Sequence, residues 1–177
     1  MNEKARFPGS IITYDDLPRV RGKHKDKVVI FCSGAFDLLH YGHIFFFNQC
    51  RKLGDILVVG VGCDRDVLRY KSSQRPIFDE KIRLETVVSL NPVDYCFLTF
   101  APSSGHFLDG FKEIFQKLQP DLYVVNKGTF DLSYREELAG EYNVKVIVLD
   151  KLYQWEDEVM STTRIIERII EYGKDDQ

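Results

Sequence analysis

Five short, continuous apolar runs are the feature of this sequence that most constrains its fold. Each run has the length of a β-strand and is flanked by polar residues, glycine or proline. Because apolar and polar residues do not alternate inside the runs, both faces of each predicted strand must be covered by other elements. The predicted strands occupy residues 28–32, 56–61, 95–98, 122–125 and 144–149.

Amphipathic segments of helical length separate these runs. Strands that alternate with helices favour a parallel sheet with helices on both faces. We therefore predict an α/β protein with a Rossmann-like, doubly wound, parallel five-stranded sheet. The predicted helices occupy residues 43–53, 79–90, 104–118, 132–142 and 161–172, and a short additional helix is predicted at 14–20.

Length and composition suit a single hydrophobic core. The chain has 177 residues, of which 44% are hydrophobic, and this is enough for one domain. We predict an N-terminal arm with the short helix at residues 1–26 and one domain at residues 27–177.

Charge and cysteine content exclude several classes of protein. With 24 basic and 27 acidic residues the formal net charge is −3, so we expect no general attraction to nucleic acid or to an anionic membrane. The four cysteines form no CxxC pair, which favours reduced, buried thiols over disulfides or a metal site. No apolar run approaches the roughly 18 residues needed to span a bilayer, and no signal-type segment begins the sequence, so we predict a cytoplasmic protein.

The segment GAFDLLHYGH, residues 34–43, follows the first strand of the predicted domain. In doubly wound sheets, ligands bind at the carboxyl ends of the strands beside the point where strand order reverses. Gly34 lets the backbone turn close to a ligand, and a helix that begins near Gly42 directs free N–H groups to the same place. With His40 and His43 on either side of the helix start, the segment predicts a phosphate-binding site with two imidazole donors.

Two other interpretations of the histidines are less favoured. A zinc site needs at least three protein ligands, and no cysteine or third histidine lies at a fitting local spacing. A purely structural role, in which His40 and His43 only cap the helix, stays open at this point.

His40-Tyr41-Gly42-His43 matches the HxGH signature, and the wider segment resembles the G-x-F-D-x-x-H-x-G-H of cytidylyltransferase-like nucleotidyltransferases. Other matches follow in the same order along residues 12–170. The fold implied by the resemblance is of the HxGH nucleotidyltransferase type, and the domain at 27–177 would be the nucleotidyltransferase domain. The further matching residues are Lys71, Arg75-Pro76-Ile77, Arg83 and Ser161-Thr162-Thr163.

The resemblance implies direct attack of a substrate on the α-phosphorus of a nucleoside triphosphate, with release of pyrophosphate and without a covalent enzyme intermediate. It implies that His40 and His43 donate to the triphosphate, that Lys71 and Arg83 neutralise phosphate charge, and that Mg²⁺ accompanies the nucleotide, with no metal ligand in the protein. Asp37 would hold a hydroxyl group, help to organise the magnesium-bound triphosphate, or fix the turn. The implied catalytic residues are His40, His43, Lys71 and Arg83. The implied nucleotide-binding residues are Gly34, Ala35, Phe36, Asp37, Gly42, Gly128, Ser161, Thr162 and Thr163.

Within the family, the chain is more similar to the adenylyltransferase domain of ADP-heptose synthases than to glycerol 3-phosphate cytidylyltransferases. The latter have the pattern R-T-E-G-I-S-T-T before the last helix, whereas Glu156 stands here in place of the arginine. The implied substrates are ATP and a sugar 1-phosphate that resembles heptose 1-phosphate, and relatives are often homodimers. A CTP-dependent enzyme that acts on a polyol phosphate such as glycerol 3-phosphate, and a non-catalytic nucleotide sensor, are the alternatives.

Three stretches depart from the family pattern. The usual Asn-Gly-Cys before Phe-Asp is Ser33-Gly34-Ala35, and Ser72-Ser73 replaces a Gly-rich stretch. The Gly-Asp pair after the fourth strand is absent from residues 126–131 unless Asp131 takes the place of the aspartate. An acidic run at residues 155–159 is either a solvated loop, or a lid or metal-assisted contact that selects an unusual substrate.

Overall fold

Among the residues that the structure describes, six parallel strands form one sheet, as seen in a computed structural model of the chain. The structure describes residues 8–71, 74–150, 153–155 and 158–175. In spatial order the strands are β1 (Ser10–Ile11), β4 (Tyr95–Thr99), β3 (Ile56–Gly62), β2 (Val29–Gly34), β5 (Leu122–Asn126) and β6 (Lys145–Leu149). The predicted doubly wound parallel fold is confirmed, and the sheet gains one short edge strand, β1, which is too brief to give an apolar run in the sequence.

The helices follow the predicted pattern with local differences. The described helices are α1 (Leu17–Lys23), α2 (Tyr41–Arg51), α3 (Asp64–Tyr70), α4 (Glu80–Val88), α5 (Gly110–Leu118), α6 (Leu132–Glu141) and α7 (Thr162–Asp175). Short 3₁₀ turns at Tyr14–Asp16 and Phe107–Asp109 precede α1 and α5. α3 was not predicted from the sequence, because about two polar-rich turns give no clear hydrophobic period. The antiparallel pair β7 (Gln154–Trp155) and β8 (Glu158–Val159) was not predicted either.

Side chains of β2 alternate between two hydrophobic cores, one on each face of the sheet. Val29 and Phe31 belong to the core that α1, α5 and α6 complete. Ile30 and Cys32 belong to the core that α2 and α4 complete. This double coverage explains why the strands are continuously apolar in sequence. As predicted, the four cysteines are buried and free of disulfides.

The N-terminal region packs onto this sheet. β1 pairs with β4, with Ser10 opposite Tyr95, and Leu17 and Val20 of α1 are buried in the core. Residues 1–7 lie outside the described part of the chain, and the division into an arm at 1–26 and a domain at 27–177 stays a prediction. No described helix combines the length and the apolarity needed to cross a bilayer.

The order of the strands places a ligand site between β2 and β5. The chain passes from β2 to β3 and β4 on one side of the sheet, and then returns past β2 to form β5 and β6 on the other side. The reversal lies between β2 and β5, whose carboxyl ends are Gly34 and Asn126. Open α/β sheets bind their ligands at such a point.

Candidate active site

A cleft of about 410 Å³ opens at the carboxyl ends of β2 and β5. The start of α7 and the β7–β8 pair contribute to its walls; we call it the first cleft. Every predicted site residue except Arg83 lines it. These residues are Gly34, Ala35, Phe36, Asp37, His40, Gly42, His43, Lys71, Gly128, Ser161, Thr162 and Thr163.

His40 forms the N-cap of α2. Its Nδ1 accepts a hydrogen bond from the backbone N–H of Gly42, at 3.1 Å, so the proton of the neutral ring lies on Nε2. A side chain at position 42 would not fit, because a Cβ there would lie 2.8 Å from the His40 ring and 3.1 Å from the carbonyl oxygen of Met160. The sequence H-x-G-H is thus required locally for His40 to cap the helix and present Nε2–H.

His43 stacks on His40, with the ring centroids 3.9 Å apart. Burial, and then the neighbouring His40, lower the pKa of His43 to about 3, and burial lowers the pKa of His40. Both rings are therefore neutral at neutral pH. Within the described part of the chain, Nε2 of His40 and Nδ1 of His43 are buried without any hydrogen-bond partner. Because buried polar atoms are normally satisfied, these two atoms indicate that a polar ligand completes the cleft.

Asp37 fixes the loop after β2. Its Oδ1 accepts the N–H groups of Leu38 and Phe78, each at 3.0 Å, and its Oδ2 accepts Ile77 N–H and Arg75 Nε, each at 2.8 Å. Burial raises the pKa of Asp37, but the hydrogen bonds from Ile77, Phe78 and Arg75 outweigh it and hold the pKa below its ordinary value. With two donors on each oxygen, the carboxylate has its acceptor capacity used. The turn-fixing role that the sequence left open is thus the one that this geometry favours.

The amino end of α7 faces the first cleft. Oγ of Ser161 accepts the N–H of Arg164 at 3.2 Å and so caps the helix. Oγ1 of Thr162 donates to the carbonyl oxygen of Asp37 at 2.9 Å, and thereby ties α7 to the loop after β2. The remaining free N–H groups of the first turn and the positive end of the helix dipole suit a phosphate.

Among the described residues, Lys71, Arg75 and Lys127 are the three cationic side chains that line the first cleft. Lys71 follows α3 and lies over the ring of Tyr70, 5.1 Å from its centroid. Partial removal from water, and then the neighbouring Arg75 cation, lower the pKa of Lys71 below its ordinary value. In the sequence, Arg75 was named only as part of the R-P-I motif. In the structure its side chain, 12% exposed, lies in the cleft wall and forms an ion pair with Asp37. Its place in the R-P-I motif was the signal for this second cation.

Arg83 does not line the first cleft, and this placement revises the expectation from the sequence. Its side chain is 1% exposed. The guanidinium donates to the carbonyl oxygens of Phe78, Ala35 and Gly62 at 2.9, 2.5 and 2.7 Å, and to Asp64 at 2.8 Å. Arg83 therefore holds the loops after β2 and β3 together from within, and its nitrogens are occupied by protein acceptors.

The loop after β5 lacks an acidic group directed at the cleft. Gly128 adopts a left-handed conformation, with φ of 78°, which glycine adopts without strain. Asp131 caps α6 and pairs with Nε2 of His106 at 3.0 Å, so it does not replace the family's aspartate in the cleft wall. Of the stretches that departed from the family pattern, Ser72, Ser73, Glu156 and Asp157 lie outside the described residues.

A second cavity, of about 440 Å³, adjoins the first cleft. It opens toward β3 and β4, and Tyr70, Phe107, Phe130 and Arg135 contribute to its walls. The residues common to both cavities are Ser33, Gly34, Ala35, Lys71, Gly128 and Thr129. No predicted nucleotide-binding residue lies in this cavity alone.

No group of three or more His, Cys, Asp and Glu side chains is placed to hold a metal ion in the part of the chain that the structure describes. The oxygens of Asp37 are engaged by four donors. A magnesium ion that enters with a nucleotide would thus be held by the phosphate oxygens of that substrate.

Comparison with known proteins supports the sequence resemblance. A family model described as cytidylyltransferase-like matches residues 31–168. The bifunctional protein HldE of Syntrophotalea carbinolica is 32% identical over 173 residues, which cover 96% of this chain and 32% of the relative. HldE of Helicobacter pylori (strain HPAG1) is 35% identical over 147 residues, covering 83% of this chain and 28% of the relative. The chain thus spans about a third of the length of these relatives.

Two solved structures share the fold. A lipopolysaccharide core biosynthesis protein from Thermoplasma volcanium has a TM-score of 0.59 and 30% sequence identity, with 72% of this chain and 99% of that chain covered. A pantoate-β-alanine ligase from Francisella tularensis has a TM-score of 0.68 at 16% identity, with 89% and 73% covered. At 16% identity the second likeness concerns the fold alone.

Proposed function

Because the chain belongs to the cytidylyltransferase-like family, we propose that it transfers AMP from ATP to a sugar 1-phosphate similar to heptose 1-phosphate. The observation that carries the proposal is the pair of stacked, neutral imidazoles, each with a buried nitrogen that has no partner in the described protein. They lie where the strand order reverses, in a cleft that three cations and the start of α7 also line. Imidazole donors, cations and the amino end of a helix are the groups that bind the negatively charged oxygens of a triphosphate.

The reaction is a single displacement at the α-phosphorus. A phosphate oxygen of the acceptor forms a bond to that phosphorus, while the bond from the α-phosphorus to the bridging oxygen breaks and pyrophosphate leaves. The protein contributes position and charge stabilisation rather than a nucleophile. Mg²⁺ is part of the nucleotide substrate and neutralises phosphate charge.

The histidines, two of the cations and the start of α7 each have a task in this reaction. His40 donates from Nε2–H to the triphosphate, and His43, stacked on it, donates as charge grows on the transferred group. Lys71 and Arg75 offset the charge of the phosphates, and the capped start of α7 holds the β- and γ-phosphates. Arg83 acts indirectly, since it fixes the loop that carries Ala35.

The choice of ATP and a sugar 1-phosphate rests on resemblance. Residues 11–37 and 71–87 are similar to the adenylyltransferase domain of ADP-heptose synthases, and the HldE proteins match over most of this chain. We also propose a homodimer and a cytoplasmic location, on the resemblance alone.

Pyrophosphate release tests the function. The chain is incubated with Mg²⁺ and either ATP or CTP, in combination with heptose 1-phosphate, hexose 1-phosphates with and without a second anionic group, or glycerol 3-phosphate. Release with ATP and a sugar 1-phosphate is the expected result. Release only with CTP and a polyol phosphate would establish the cytidylyltransferase alternative, and nucleotide binding without release from any combination would overturn the catalytic proposal in favour of a sensor.

A further inference from the structure

The second cavity contains a buried cation that the proposed reaction does not use. Arg135, on α6, is 9% exposed and lines the cavity. Its Nε donates to the carbonyl oxygen of Phe130 at 2.8 Å, and its Nη1 donates to the hydroxyl of Tyr123. Its guanidinium carbon lies 5.6 Å from the ring centroid of Phe111. No carboxylate forms an ion pair with Arg135 in the described ranges.

The donor count of Arg135 indicates a ligand. A guanidinium has five N–H donors, and two protein acceptors are present here. Burial of a cation without a counterion is costly, and buried charges are normally paired. By contrast, the buried guanidinium of Arg83 donates to four acceptors in the same protein, and one of them is the carboxylate of Asp64. Arg135 therefore has the geometry of a residue that binds an anion supplied from outside the protein.

The acidic group of the same cavity does not neutralise Arg135. Asp66, 2% exposed, also lines the cavity. Its Oδ1 accepts Nε of Arg65 at 2.9 Å, and its Oδ2 accepts the N–H of Ala101. The carboxylate of Asp66 thus accepts hydrogen bonds from α3 and from the loop after β4, rather than pairing with Arg135.

The border between the two cavities fixes the direction of the acceptor. The attacking phosphate must meet the α-phosphorus beside His40 and His43, so it lies at the shared wall that contains Gly34 and Lys71. An acceptor bound in this way would extend into the second cavity, which Arg135 lines.

We propose that Arg135 is a specificity-determining residue that binds a second anionic group of the acceptor, a carboxylate or a phosphate, at the end remote from the attacking phosphate. This inference rests on the proposed function and refines its substrate class. The fork of a guanidinium pairs with two oxygens of either group. The acceptor is accordingly a sugar 1-phosphate that carries an acid or a second phosphate, rather than one with hydroxyl groups alone.

Aromatic side chains shape the remainder of the cavity. Tyr70 stacks on Phe107, with centroids 5.2 Å apart, and meets Phe130 edge to face at 4.9 Å. These three rings line the cavity together with Arg135. They form an apolar wall against which the body of a ring-shaped acceptor packs, while Arg135 holds its charged end.

Binding of three matched ligands tests the inference without turnover. Calorimetric titration uses the full chain saturated with a non-hydrolysable ATP analogue and Mg²⁺. The ligands are glucose 1-phosphate, glucuronic acid 1-phosphate and glucose 1,6-bisphosphate, which differ only at the remote carbon. We expect at least one of the two doubly anionic ligands to bind about tenfold or more tightly than glucose 1-phosphate, as a charge-assisted hydrogen bond to an arginine gives. The one with the larger gain identifies carboxylate or phosphate as the preferred group.

Two variants separate recognition from a structural role. Arg135→Gln should remove the preference and leave the affinity for the ATP analogue unchanged. Tyr123→Phe deletes the hydroxyl to which Arg135 donates but keeps the guanidinium, and should retain the preference. Equal affinities of the wild-type chain for all three ligands, or a preference that survives Arg135→Gln, would overturn the inference, and the wild-type comparison decides even if that variant does not fold. A clear preference without pyrophosphate release would instead count against the proposed function alone.

Discussion

The first cleft and the second cavity share one wall but are built in opposite ways. The first cleft takes both histidines, Asp37 and three hydroxyl side chains from two contiguous segments, residues 34–43 and 161–163, and it also uses backbone at the start of α7. The second cavity collects side chains from β3, α3, the loop after β4, α5 and α6. Its polar lining includes the guanidinium of Arg135, which is set among aromatic rings.

This difference separates triphosphate binding, which the family motif provides, from acceptor recognition, which depends on side chains particular to each protein. Backbone N–H groups and neutral imidazoles bind any triphosphate, so the first cleft matches a motif that many proteins contain. Side chains gathered from distant segments determine which acceptor fits, and such a set changes without altering the fold. The two buried arginines illustrate the point, since Arg83 is satisfied by the protein and Arg135 is not.

The largest expected effect tests that contrast at Arg83. Arg83→Met leaves three carbonyl oxygens and Asp64 without their donor, and we expect it to lower the free energy of unfolding by about 3–5 kcal/mol. Urea denaturation measures the change. The exposed Arg19, which pairs with Asp16 on the surface, provides the control Arg19→Met, with an expected change below about 0.5 kcal/mol. If Arg83→Met left the stability unchanged and raised KM for the nucleotide, the result would instead indicate that Arg83 contacts a phosphate directly.

A second change addresses the first cleft alone. His43→Ala removes a neutral donor beside the reacting phosphate, and kcat should fall about 10²- to 10³-fold, while the affinity for the acceptor in the second cavity is retained. Steady-state kinetics and acceptor titration measure the two effects. His24→Ala, at a histidine that contacts Tyr95 away from the cleft, is the control and should keep kcat. Near-normal turnover by His43→Ala would contradict the role of this side chain.

A smaller expected effect is the pH dependence of the free energy of unfolding that His43 of the first cleft causes. The pKa of His43 is about 3 in the folded chain against an ordinary value of 6.5. Between these values the unfolded chain binds a proton that the folded chain does not, so the free energy of unfolding falls as pH drops below 6.5. We expect the wild type to lose about 1 kcal/mol per pH unit more than His43→Asn in this range.

Denaturation of both chains at pH 7, 6 and 5 measures this difference. Parallel losses in the two chains would show that His43 is not buried in its neutral form. Added nucleotide analogue should reduce the difference, because a bound polyanion stabilises the protonated imidazole.

Much of the fold could be predicted from the sequence. Each predicted strand agrees with an observed one to within two residues at either end, since hydrophobic period and flanking turn residues are local properties. The elements that were missed, β1, α3 and the β7–β8 pair, are short, and they are held by contacts with distant segments rather than by their own pattern. The two-residue β1 exists because it pairs with β4.

The sequence by itself determined the ordered strands and helices, the H-x-G-H cap of α2 and the capped start of α7, because these depend on neighbours within a few residues. Only the tertiary structure decided which cations serve the cavities. Arg75 reaches the first cleft through Asp37, Arg83 turns inward to carbonyl oxygens of three loops, and Arg135 meets Tyr123 across from α6 to β5. The physical reason is that an arginine's role depends on which acceptors surround its guanidinium, and chain crossings and strand register bring those acceptors together from distant parts of the sequence.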